Sequence, residues 1–219
     1  MSDPSSSAPG NAVESRLLGG RIRLMQPERG YRAGMDAALL AAAVEARPGE
    51  RLIEAGCGAG AVLMQVAKRR PGVSLTGLER ETDAAGLARR NTAINGAPAE
   101  IISGDVSAGF RALERDRFDW AVSNPPFFDD ASALRAPAEG KRAAWIADDG
   151  LKAWTDFLLA ATKDGGRIVV IHRADRLADL LALLSAKAGS FAIRPVHPHA
   201  DEAAKRVLVQ AVRGGKAPL

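Results

Sequence analysis

Apolar and polar positions along this chain fall into blocks whose period changes, and the changes of period mark the elements. Residues 36–46 are rich in alanine and leucine, lack Gly and Pro, and stop before Pro48-Gly49, which predicts a helix. Short apolar runs at 51–55, 73–78, 100–103, 118–123 and 167–171 then take turns with helical stretches at 61–70, 82–95, 150–163 and 174–188. Apolar runs separated by helices predict parallel strands joined by crossovers, and so a doubly wound sheet with helices on both faces. Gly165-Gly166 reads as the stop of the 150–163 helix. Two last strand-like runs, 190–196 and 206–212, are joined only by a Pro/His/Asp-containing connection and are expected to pair antiparallel.

Composition narrows this picture. With 219 residues and 47% hydrophobic content the chain can build one substantial core, expected as a single domain over 16–219. Residues 1–15, rich in Ser, Pro and Gly, read as a disordered tail; they lack the basic and apolar regions of a secretory leader. No apolar run approaches the roughly 20 residues that cross a bilayer, so no membrane partner is expected. The single cysteine, Cys57, excludes an internal disulfide and a cysteine-built zinc site, fits a reducing cytoplasm, and reads as a small packing residue. His172, His197 and His199 have no carboxylates at ligand spacing and read as turn residues, so no metal is expected. Trp145 and Trp154 read as helix-packing aromatics.

The formal charge of +4 suits a polyanionic partner without marking a dedicated nucleic-acid binder. Arg16, Arg21, Arg23, Arg29 and Arg32 outweigh Glu14 and Glu28, and Arg194, Lys205, Arg206, Arg213 and Lys216 outweigh Asp201 and Glu202. Either patch reads equally well as a phosphate-facing surface or as a solvated face. In the segment 128–146, Arg135, Lys141 and Arg142 are balanced by Asp129, Asp130 and Glu139.

Candidate chemistry begins at Glu54-Ala-Gly-Cys-Gly-Ala-Gly60, between the first strand of the alternation and its helix. Gly56, Gly58 and Gly60 let the backbone turn sharply and approach a ligand, although a tight turn without a ligand uses the same residues. Glu79 ends the next strand, where a carboxylate can accept both hydroxyls of an unmodified ribose; dinucleotides and S-adenosylmethionine share that feature. Asp105, after the third strand, can accept from an adenine amine or act as a plain helix N-cap.

Asn124-Pro125-Pro126-Phe127 follows the fourth strand, at the end where open α/β sheets bind ligands. The two prolines make a rigid turn from which the Asn124 side-chain oxygen and the Pro125 carbonyl can both accept hydrogen bonds. Two fixed acceptors suit an exocyclic amine or an amide NH2, whose lone pair is delocalised and must be drawn toward pyramidal geometry before it attacks. Phe127 offers a face on which a flat target can stack. Taken with Gly56 to Gly60, Glu79 and Asp105 in strand order, the motif predicts methyl transfer to a planar nitrogen.

These residues resemble the class I S-adenosylmethionine-dependent methyltransferases, and within them the Asn-Pro-Pro-aromatic amino-methyltransferases, including the bacterial tRNA(Val) adenine N6-methyltransferase family. The resemblance spans roughly residues 16–213. It implies a Rossmann-like fold, a mostly parallel seven-stranded sheet with a C-terminal antiparallel hairpin, and S-adenosyl-L-methionine as cofactor. It also implies RNA, specifically tRNA, as partner and N6 of an adenine as target. The run Gln26 to Leu40 looks like that family's segment before the glycine loop, from which Tyr31 and Asp36 are carried over as cofactor-binding residues. By the same likeness Glu54 and Gly56 to Gly60 surround the methionine part, Glu79 the ribose, Asp105 the adenine, and Asn124, Pro125 and Phe127 the target, with Asn124 also beside the cofactor. Glu54 replaces the more usual aspartate. Other readings stay open: a protein glutamine, guanine N2 or small-molecule target, a non-catalytic RNA chaperone, or a dinucleotide-dependent oxidoreductase.

Overall fold

The computed structural model describes residues 12–28, 32–126 and 150–217. Tyr31, Arg29, Phe127 and Trp145, and the charged residues expected in the 128–146 segment, lie outside the described residues. In chain order the elements are β1 (Ala12–Leu17), β2 (Ile22–Pro27), α1 (Met35–Ala43), β3 (Arg51–Ala55), α2 (Ala61–Arg69), β4 (Ser74–Glu79), α3 (Thr82–Asn95), β5 (Ala99–Ser103) and β6 (Phe118–Ser123). There follow α4 (Leu151–Ala161), β7 (Thr162–Arg173), α5 (Leu177–Leu184), β8 (Ala188–Val196) and β9 (Arg206–Arg213), with short 3₁₀ turns before β6 and before α5.

Seven strands form one sheet in the order β5-β4-β3-β6-β7-β9-β8. β3, β4, β5, β6 and β7 run parallel, and β9 inserts antiparallel between β7 and β8. This is the mostly parallel sheet with a terminal hairpin that the apolar pattern predicts. The order reverses between β3 and β6, so a crevice opens there at the C-terminal ends of the strands.

Alternate residues of the central strands feed two cores. Leu52, Trp120, Val122, Val169 and Ile171 face α1, α2 and α3, whereas Ile53, Ala121, Ile168 and Val170 face α4 and α5. Burial on both faces explains why these strands read as continuous apolar runs rather than as alternations. Trp120 also donates its indole N–H to Glu50 at 2.8 Å, which satisfies its polar atom at the rim of the core.

Three expectations are corrected. The helix expected over 150–163 ends at Ala161, because Thr162 is fully buried, bonds its hydroxyl back to the Leu158 carbonyl at 2.7 Å and pairs with Phe118 as strand. Gly165-Gly166 therefore lies inside β7, in the irregularity between the Phe118 and Trp120 pairings, and does not stop a helix. The helix expected over 174–188 is shorter, Leu177–Leu184, since Ala188 already pairs with Arg213 at the start of β8. The third correction concerns the N-terminus: β1 begins at Ala12, inside the segment expected as a tail, and forms a separate two-stranded sheet with β2.

Candidate active site

The glycine loop is fixed from below by β4. Gly56 and Cys57 both donate backbone N–H bonds to the Leu78 carbonyl, at 2.8 and 3.0 Å. Cys57 is buried and fills a notch left by Gly77, where a Cβ would come within 2.6 Å of its sulfur. Burial, reinforced by the charges of Glu54 and Glu79, pushes the thiol well above its ordinary value, so Cys57 packs as a neutral group. Gly56, Gly58 and Gly60 have φ of +68°, +53° and +82°, a left-handed path that side chains rarely follow.

Trp154 of α4 closes the loop from the other face of the sheet. A Cβ on Gly56 would stand 2.8 Å from its Cζ3 and closer still to Cη2, so the indole occupies the space that any larger residue would need. The expected helix-packing aromatic is thus packed against the glycine loop itself.

Two carboxylates converge under the loop. Glu79 accepts from the Gly58 amide at 2.8 Å and from the Glu81 amide at 2.9 Å. Glu54, only 2% exposed, receives the amide of Leu63 in the first turn of α2, while its Oε2 has no hydrogen-bond partner. Burial pushes the Glu54 carboxyl well above its ordinary value, the Glu79 charge adds to this, and the Leu63 amide opposes it. A buried carboxylate oxygen without a donor is costly in an empty protein and is satisfied by a ligand that brings an N–H or a positive charge. S-adenosylmethionine carries both an ammonium and a sulfonium, so these residues fit it.

Asp105 lies at the end of β5, beyond the Gly104 amide that bonds to the Glu79 carbonyl at 3.0 Å. Its Oδ1 caps the following 3₁₀ turn, accepting from Ser107 N–H at 2.7 Å, and its Oδ2 lies 3.7 Å from Arg80. Partial burial works against its charge, but the Ser107 and Arg80 donors outweigh it and hold the carboxyl below its ordinary value. Asp105 is therefore an N-cap, and an ionised carboxylate has lone pairs left for a further donor.

Asn124 and Pro125 leave the sheet beside this loop. Ser123 is opposite Ala55 in register and bonds its hydroxyl to the Ala55 carbonyl at 2.9 Å, so the residue after each strand, Asn124 and Gly56, emerges side by side at the crevice. Asn124 is half-buried, Pro125 buried and Pro126 exposed.

Asp36 is engaged in an ion pair. Its Oδ2 accepts from Arg206 Nε at 3.0 Å, an ion pair that ties the start of α1 to the start of β9. The basic patches are also engaged: Arg23 pairs with Glu14 at 2.8 Å, Lys205 with Glu202 at 3.1 Å, and Arg213 reaches the Thr162 carbonyl at 2.6 Å. His172 is buried and accepts the Arg173 amide at 2.7 Å, while His197 holds the Glu202 carbonyl at 2.7 Å in the β8–β9 turn. No cluster of metal-binding side chains occurs among the described residues.

Sequence reading missed Asn91, Asn95 and Trp154 as parts of this neighbourhood. Two asparagines at i and i+4 in the middle and last turn of a helix were the available signal, since Asn is a poor helix former and needs a reason to be there.

Comparison with known proteins agrees with this geometry. A family model for the methyltransferase small domain matches residues 32–139. A tRNA1(Val) (adenine(37)-N6)-methyltransferase from Dickeya chrysanthemi is 31% identical over 201 residues, 86% of this chain and 75% of that protein. Among solved structures, a predicted O-methyltransferase from Agrobacterium tumefaciens superposes with a TM-score of 0.68 at 29% identity, covering 84% of each chain. The 16S rRNA N2 G1207 methyltransferase of T. thermophilus, in complex with AdoMet and guanosine, gives a TM-score of 0.68 at 20% identity over 96% of this chain and 52% of that one. The reversal of strand order at β3 and β6, the glycine loop over two buried carboxylates and these likenesses lead to one conclusion: the chain belongs to the S-adenosylmethionine-dependent methyltransferases.

Proposed function

We propose that this methyltransferase acts on the exocyclic N6 of an adenine in tRNA. The observation that carries the chemistry is the emergence of Asn124-Pro125 next to Gly56 at the crevice between β3 and β6. The choice of tRNA adenine is supported by likeness to the Dickeya chrysanthemi enzyme along most of the chain.

In this reading Glu54 and the loop Gly56 to Gly60 receive the methionine part of the cofactor, Glu79 the ribose hydroxyls and Asp105 the adenine amine. Tyr31 and Asp36 complete the enclosure by resemblance; Asp36 would act while held on Arg206. S-adenosylmethionine supplies a methyl group already made electrophilic by its sulfonium. The protein's task is then to aim the target nitrogen and to stabilise charge as it develops there. The Asn124 side-chain oxygen and the Pro125 carbonyl accept the two amine hydrogens, favour a pyramidal nitrogen and hold its lone pair toward the loop. Phe127 stacks on the flat base. The acceptors are neutral and take up no proton, so the proton leaves the nitrogen after the new bond has formed.

The test is nucleoside mass spectrometry of tRNA from cells with and without the gene, joined to assays of the purified protein with labelled cofactor on tRNA, ribosomal RNA and release factors. N6-methyladenosine lost from tRNA on deletion is expected, with label entering tRNA alone. Unchanged N6-methyladenosine, or label entering a protein glutamine, overturns the assignment. Asn124→Ala is expected to lower kcat by about 100-fold or more, the scale of one lost transition-state hydrogen bond.

A further inference from the structure

Strand β2 bonds to β1 along one edge, and its other edge faces α3, where side chains take the place of a neighbouring strand. Asn91 Oδ1 accepts the Met25 amide at 2.7 Å, and its Nδ2 donates to the Met25 carbonyl at 2.9 Å. One turn on, Asn95 repeats the arrangement at Arg23, accepting its amide at 3.0 Å and donating to its carbonyl at 2.7 Å. Four helical residues advance about 6 Å and two strand residues about 6.7 Å, so an i, i+4 pair matches alternate residues of a strand. A side-chain amide has the donor and acceptor of a peptide group, and the two asparagines cover the edge that β2 would otherwise leave open.

The two residues differ in their third bond. Asn95 spends it on its own helix, donating to the Asn91 carbonyl at 2.8 Å. Asn91 reaches across to the glycine loop and donates to the Ala59 carbonyl at 2.9 Å. Ala59 lies between Gly58, whose amide is held by Glu79, and Gly60, the left-handed residue that starts α2. Asn91 is 0% exposed, so water has no access to replace any of its bonds. One buried amide thus fixes the position of the loop's middle carbonyl and the register of an otherwise separate hairpin.

We infer that Asn91 is a positioning residue for methyl transfer: it holds the glycine loop in its cofactor-receiving shape and couples it to the β1–β2 hairpin. Cofactor binding and hairpin docking then strengthen each other, because a coupling free energy acts equally in both directions. The inference rests on the reading of Gly56 to Gly60 as the cofactor loop and is independent of the RNA target.

Calorimetric titration of S-adenosylmethionine, well below the melting point of each variant, tests one direction, and hydrogen exchange at the Met25 amide tests the other. Asn91→Ala is expected to weaken binding by roughly tenfold, within the 5–150-fold span usual for coupled sites, and Asn95→Ala by less than about twofold. S-adenosylmethionine is expected to slow Met25 exchange several-fold in the unsubstituted chain and to leave it unchanged in Asn91→Ala. Equal weakening in both variants, which a merely structural hairpin contact would give, overturns the inference, as does an unchanged affinity in Asn91→Ala. If Asn91→Ala does not fold, exchange in the unsubstituted chain decides, and no cofactor effect at Met25 overturns it. An unsubstituted chain that binds no S-adenosylmethionine removes the loop assignment as well, which distinguishes the two failures.

Discussion

The described residues include two antiparallel hairpins, held by different means. The C-terminal hairpin, β8 and β9, is part of the main sheet: β9 pairs with β7 over seven residues from Arg167 to Arg173, and Val207, Leu208, Val209 and Ala211 sink into the two cores. The N-terminal hairpin, β1 and β2, joins no other strand among the described residues. It is attached by Ile22 and Leu24, which enter the core against α3, and by the amide pairs of Asn91 and Asn95. Backbone ladders make the first hairpin inseparable from the fold, whereas side chains make the second a unit that can open by itself. Among the described residues, the second shares Asn91 with the glycine loop, since that side chain bonds both Met25 and the Ala59 carbonyl.

The largest effect should come from breaking the C-terminal hairpin. Val209 is completely buried, so Val209→Asp places a charge in the core at a cost of several kcal/mol against a total stability of about 5–15 kcal/mol. The expected outcome is a chain without a cooperative thermal transition by circular dichroism. A well-folded Val209→Asp protein would remove the asymmetry between the hairpins.

The next effect is local. Leu24 is completely buried, and Leu24→Ala should cost about 2–4 kcal/mol, confined to the hairpin. Hydrogen exchange should then show lost protection over 22–27 while 206–213 stay protected as before. Loss of protection in both segments together would mean that the hairpins unfold as one.

The smallest effect leaves both hairpins intact and isolates the loop that one of them touches. Burial and the Glu79 charge raise the Glu54 carboxyl in the folded protein, so its neutral form is the favoured one there. The stability from that preference is fully present below the ordinary value of 4.5 and is lost as pH rises through the raised folded value. Glu54→Gln should therefore melt higher than the unsubstituted protein at neutral pH, with the difference fading as the pH falls below the ordinary carboxyl value. The same variant should bind S-adenosylmethionine more weakly. Stability gained with affinity lost is the mark of a binding site held under strain. A Glu54→Gln protein that melts lower at neutral pH would show that the carboxyl is not strained.

How much was legible follows from the same contrast. Residues 206–212 read as a strand because a segment buried on both faces must be apolar throughout, and 118–123 and 51–55 read as strands for the same reason. The hairpin at Ala12–Leu17 and Ile22–Pro27 does not, because Glu14, Arg16 and Arg23 interrupt its apolar positions and its partners are amides on a helix 66 and 72 residues away. Gly165-Gly166 is ambiguous for a related reason: a glycine pair marks a break in the local path, and both a helix stop and a strand irregularity satisfy it.

The sequence by itself determined the alternation of strands and helices from residue 51 onward, the glycine loop, and the placing of Glu79, Asp105 and Asn124-Pro125 at successive strand ends, since each of these depends on local periodicity and on residues whose backbone or charge has few uses. Tertiary structure alone decided which of them meet. Glu54 became a strained acid because Glu79 and the core surround it, Gly56 became irreplaceable because Trp154 lies against it, and Asn91 became the link between loop and hairpin. Those properties depend on what packs against a residue from distant parts of the chain, and no local pattern of apolar and polar positions records that.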